Sequence, residues 1–103
     1  MEALEIRKSD HHKILESERP VLLDFYAPWC GPCRSVLPSL DAIAKEYPEL
    51  LVAKVNVESE RELAESYGIS SIPTLVVIEN GKEIRRMRGG RPKADIIDFA
   101  LGL

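Results

Sequence analysis

The chain has no apolar run of membrane-spanning length, no internal repeat, no low-complexity tract and no Ser/Gly-rich linker. These absences argue against a spanning helix, a solenoid, and a string of domains joined by flexible segments. Positive charge is not in excess either. The formal net charge of -3 offers no general attraction to nucleic acid or to an anionic membrane surface, so neither is expected as a partner. Before Leu15, charged residues and two histidines interrupt the apolar ones, so there is no apolar core of a secretory signal, and the cytoplasm is the expected location.

Histidine and cysteine are scarce. His11 and His12 are adjacent and precede both cysteines, and they read as solvated surface residues. Cys30 and Cys33 are the only cysteines; a bridge between such close neighbours restricts the unfolded chain little, which makes a structural staple a poor explanation. The spacing leaves redox chemistry or half of a zinc site. The other half of a four-ligand zinc site is missing, so no metal is expected.

What is present is an ordinary globular balance of apolar and charged residues over 103 positions, the size of one domain, 1–103. Val21–Tyr26 is a nearly continuous apolar run, as in a strand covered on both faces. Leu51–Val57 reads as a second strand. Thr74–Glu79 and Lys82–Arg88 flank Asn80-Gly81, a strong two-residue hairpin signal. A brief extended segment at Leu4–Ile6 precedes a short helix capped by Ser9 or Asp10 and ending near Glu18. Apolar residues at helical spacing mark Cys33–Tyr47, with Pro38 expected to kink it. Ser59–Tyr67 reads as a short helix stopped by Gly68, and Arg91–Leu101 as a last one burying Ile96, Ile97, Ala100 and Leu101. The fold class is α/β: a mixed central sheet of about five strands, parallel first and antiparallel last, with helices on both faces.

Cys30 follows a buried strand and opens a helix, where unpaired N–H groups and the helix dipole favour thiolate over thiol. Pro32 suits the first helical turn, and Cys33 lies one turn deeper, as a resolving thiol should. Asp24 sits inside the apolar run, where a free carboxylate is expensive; it can take the proton of Cys33, or it can bond backbone at the strand end. Lys54 is either the cation that moderates Asp24 or a lysine snorkelling to the surface. Pro73 before a strand marks either a plain strand start or a cis bond that leaves the Ile72 backbone open to an extended substrate.

The run from Asp24 through Trp29-Cys30-Gly31-Pro32-Cys33, followed by Ile72-Pro73-Thr74 and Asn80-Gly81, resembles the thioredoxin family across essentially the whole chain. That resemblance implies a thioredoxin fold and a monomeric protein disulfide reductase without a bound cofactor, taking part in electron transport and cell redox homeostasis. It implies Cys30 as nucleophile, Cys33 as resolving thiol, Asp24 as buried proton acceptor with Lys54 beside it, and a cis bond at Pro73. It assigns the apolar docking surface to Trp29, Gly31, Pro32, Val57, Ile72 and Gly89. It further implies electrons from a thioredoxin reductase and targets such as ribonucleotide reductase, peroxiredoxin and methionine sulfoxide reductase.

The chain departs from the commonest family pattern in places. Tyr26 stands where many members have tryptophan, Pro28 precedes Trp29 as in disulfide isomerases, and Ser71 replaces a frequent glycine. Arg85, Arg86, Arg88 and Arg91 form a basic cluster that either selects acidic partners or protects an edge strand from aggregation. The rival functions are an oxidant or isomerase on the same fold, against which Gly31-Pro32 argues, and a scaffold in which the dithiol is incidental.

Overall fold

A computed structural model describes residues 2–103. β2 (Val21–Tyr26) is buried along its whole length because it lies at the centre of a five-stranded sheet and is covered on both faces. The other strands are β1 (Leu4–Glu5), β3 (Leu51–Asn56), β4 (Thr74–Glu79) and β5 (Lys82–Arg88), in the order β1-β3-β2-β4-β5. β3 pairs in parallel with both β1 and β2, while β4 runs antiparallel to β2 and β5. The sheet is therefore mixed, as the run of elements predicts.

The helices are α1 (His11–Leu15), α2 (Gly31–Glu46), α3 (Arg61–Ser66) and α4 (Lys93–Leu101). Alternation along β2 divides the core in two. Leu22 joins Val36, Leu40 and Ile43 of α2 and Ile96 and Ala100 of α4. Val21, Leu23 and Phe25 join Ile14 of α1 and Leu63 and Ala64 of α3 on the opposite face. At the hairpin, Asn80 and Gly81 both take positive φ (52° and 77°), which lets the turn follow the twist of its strands.

Several boundaries are shorter than the sequence suggests. Asp10 is the N-cap residue of α1, as expected, but its side chain does not cap that helix; its carboxylate accepts from the Arg7 N–H and closes a 3-10 turn over Lys8–Asp10, after which α1 lasts only to Leu15. α3 begins at Arg61 rather than Ser59, because the Asn56 side chain accepts from the N–H groups of Glu58 and Ser59 and holds them in a turn. Pro92 caps α4, so Arg91 stays outside it. Leu101, expected inside, is exposed: Ile96 and Ala100 form the buried stripe, while Ile97 and Leu101, one residue round, lie at its margin. α2 continues past Pro38 to Glu46.

Candidate active site

The end of β2 and the start of α2 meet at the cysteines. Cys30 is the N-cap of α2, with extended backbone (φ -82°, ψ 117°), and Pro32 lies in the first turn, where a missing N–H leaves no bond unmade. The Sγ of Cys30 accepts from the backbone N–H of Cys33 at 3.2 Å. This puts the sulfur among the donors of the helix N-terminus, where negative charge is favoured. The two cysteines are joined as a disulfide with Cα atoms 5.2 Å apart. Cys33 is wholly buried and Cys30 nearly so at 5% exposure, so Cys30 is the more accessible of the two.

Tyr26, Ala27, Cys30 and Cys33 form a third apolar cluster, against which Leu37, Val57 and Ile72 pack. Val57 and Ile72, far apart in sequence, are thereby gathered at the dithiol. The Ile72–Pro73 peptide is cis, and Pro73 is buried. No hydrogen bond to the Ile72 N–H or C=O is present among the described residues, which leaves these groups unpaired in the bend before β4, beside the sulfurs. The C=O of Pro73 accepts from the Gly89 N–H at 2.8 Å, and Gly89 has a φ of 90°, a conformation that side chains resist. Trp29 (63% exposed), Gly31 and Pro32 form the outward rim.

Asp24 is completely buried, and neither of its carboxyl oxygens has a hydrogen-bond partner. A carboxyl bonded to backbone is therefore ruled out. Burial pushes its pKa up to about 7, opposed by the positive charge of Lys54 and reinforced by the negative charge of Glu5. Lys54 is its cross-strand neighbour, half-buried, with Nζ 5.9 Å from the centre of the Tyr26 ring. It lies along this face rather than reaching away from the site.

Sequence reasoning missed three contributors. Glu58 accepts from the Trp29 indole N–H at 2.7 Å and fixes the ring on the rim. Gly90 lies beside Pro32, where an added Cβ would be in van der Waals contact with the Pro32 Cβ at 3.4 Å. Glu5, on the edge strand, accepts from the Tyr26 hydroxyl. Each depends on a contact between separate parts of the chain, 29 residues apart for Trp29 and Glu58 and 21 for Tyr26 and Glu5.

The basic cluster is divided. Arg85 donates to the carbonyls of Phe99 and Ala100 at the end of α4, and Arg86 is held by Glu83 and the Tyr67 carbonyl. Arg88 and Arg91 remain as its exposed members. His11 also differs from its surface reading: it is half-buried against Tyr67, hydrogen-bonded to the phenol, and burial lowers its pKa. Among the described residues, no three His, Cys, Asp or Glu side chains are grouped to hold a metal, and no helix is long and apolar enough to cross a membrane.

A sequence model described as Thioredoxin matches residues 2–101. Thioredoxin of Griffithsia pacifica is 43% identical over 94 residues, covering 90% of this chain and 86% of that protein. Thioredoxin of Haemophilus influenzae is 38% identical over 100 residues, covering 95% and 94%. In structure, a thioredoxin variant from Halobacterium salinarum superposes with a TM-score of 0.90 at 30% identity, covering 98% of this chain and 89% of its own.

Proposed function

Since the chain belongs to the thioredoxin family and is a protein disulfide oxidoreductase, we propose a specific division of labour among its residues. The Cys30 thiolate attacks one sulfur of a target disulfide; that S–S bond breaks, one target sulfur leaves as a thiolate, and a mixed disulfide forms. Cys33 then passes its proton to ionised Asp24, and its sulfur attacks Cys30. The second target sulfur is released and the Cys30–Cys33 bond closes. Two electrons have moved from the dithiol to the target. The observation that carries this reading is the Cys30 sulfur held at the N-terminus of α2, with Cys33 bonded behind it.

Lys54 moderates the charge of Asp24, while Trp29, Gly31, Pro32, Val57, Ile72, Pro73 and Gly89 receive the target as an extended segment beside the cis-proline loop. Thioredoxins generally act on disulfide-containing proteins with thioredoxin reductase as electron donor. For this chain the target classes are ribonucleotide reductase, peroxiredoxin and methionine sulfoxide reductase, in the cytoplasm, with the protein acting as a monomer. Reduction of a model protein disulfide with NADPH and a thioredoxin reductase tests the electron route. Equilibration with glutathione tests the direction: a potential close to that of disulfide isomerase would sink the reductase assignment.

Arg88 and Arg91 supply the remaining positive charge of the cluster and steer acidic targets. Replacing Arg88 with Val is expected to slow reduction of an acidic target roughly twofold to tenfold at low salt, and to have no effect at high salt, where exposed charges are screened. Unchanged kinetics at low salt would remove the steering.

A further inference from the structure

Glu5, Lys54 and Asp24 occupy one register row across three adjacent strands. Glu5 of β1 is paired with Lys54 of β3, and Lys54 with Asp24 of β2. In parallel register, paired residues share a face, so the row is acid, base, acid beneath α2 and α4. Tyr26 lies two residues beyond Asp24 on the same face. Its hydroxyl donates to Glu5 Oε1 at 2.7 Å, reaching across β3, and its ring lies 5.9 Å from the Lys54 Nζ. Exposure falls from Glu5, which is open to solvent, through half-buried Lys54, to Asp24, which is sealed.

This arrangement bears on the one buried side chain that, among the described residues, has polar atoms without a hydrogen-bond partner. With neither Asp24 oxygen partnered, its charged form is answered by electrostatics alone. Lys54 is the cation in the row, and a carboxylate stands on each side of it. On α2 over this face, Cys30 and Cys33 at its start are joined as a disulfide and carry no titrating thiol in the oxidised chain, and Asp41 accepts the Ala3 N–H. β4 opposes Asp24 with Leu75, and the residues that α4 buries are Ile96 and Ala100.

We infer that Glu5 is a positioning residue for the redox reaction: clamped by Tyr26 at the outer end of the row, it shares the charge of Lys54 and so limits how far that cation favours the charged form of Asp24. The inference rests on Asp24 as the acceptor of the Cys33 proton. Burial raises the Tyr26 phenol and the Glu5 bond raises it further, so the hydroxyl remains a donor across the working range. Glu5 therefore stays placed while Asp24 titrates. Edge strand β1, remote from the cysteines in the sheet order, is thereby tied to their chemistry.

The test follows the Asp24 carboxyl by carbon NMR in the oxidised full chain, with Asp24→Asn identifying its signal. In Glu5→Gln the Asp24 midpoint should fall by about half a pH unit, the scale of one partly screened charge roughly two strand spacings away. Tyr26→Phe should lower it by a smaller amount, as the unclamped carboxylate turns toward water. Both changes are mild, since Glu5 is exposed and Phe preserves the ring. The pH profile of single-turnover target reduction should shift with the midpoint. An unmoved midpoint in Glu5→Gln overturns the inference. A fall in Glu5→Gln with none in Tyr26→Phe overturns the clamp. If the midpoint moves but the rate profile does not, the electrostatic row is supported, and Asp24 as proton acceptor is what fails.

Discussion

Cys30→Ser is expected to reduce disulfide turnover by at least about a thousandfold, because the members of a catalytic unit fail together when its nucleophile is removed. The place of Cys30 at the start of α2 helps only a group that can ionise near neutrality, and a serine hydroxyl does not. Its oxygen also cannot form the mixed disulfide through which exchange proceeds. Cys33→Ser should behave differently. Cys30 still attacks, but the internal sulfur that releases the target is absent, so a covalent complex with the target accumulates and multiple turnover ceases. Non-reducing electrophoresis distinguishes the two variants: a target-sized increment in mass for Cys33→Ser and none for Cys30→Ser. An increment in the Cys30 variant would reverse the roles assigned to the pair, and sustained turnover in either would remove the dithiol mechanism.

The second large effect is on stability and concerns Asp24. Its folded pKa, about 7, lies above the ordinary value of 3.8, so the native state retains a proton that the unfolded state gives up. Stability therefore falls with rising pH, starting near the unfolded value and levelling off above the folded one. The loss between about pH 4 and pH 8 should amount to at most about 4 kcal/mol, a large part of the total for a domain of this size. Asp24→Asn removes this titration. Urea unfolding across that range should show a sloping profile for the parent and, for the variant, a profile lacking this slope. Equal slopes would mean that Asp24 ionises in the folded protein as it does in water. The same variant should slow release of the mixed disulfide, since no carboxylate then receives the Cys33 proton. Lower reactivity together with a flatter stability profile is the expected pattern where a buried acid is kept for function.

The placement of the cysteines could be read from their neighbours in the chain because it is local. Tyr26 through Cys33 is a strand end, a turn and a helix start, and this local sequence sets Cys30 at the helix terminus without help from distant residues. The central position of β2 was equally legible, since a strand buried on both faces has no polar alternation to hide. Asp24 stood out against that run by its charge alone. The short elements were less legible. α1 and α3 are only five and six residues long, and side-chain bonds from Asp10 and Asn56, rather than periodicity, set where they begin.

The succession of strands and helices along the chain, the dithiol at a helix start, the hairpin at Asn80-Gly81 and the acid within a core strand are all written in local sequence, because each rests on neighbours within a few residues. It took the folded chain to show that Asp24 lacks a hydrogen-bond partner, that Glu5 and Lys54 share its row, that Glu58 holds Trp29, and that Arg85 and Arg86 are drawn away from the rim. Strand pairing and helix docking join residues from separate parts of the chain, and the field and hydrogen bonds at a buried group depend on those neighbours in space.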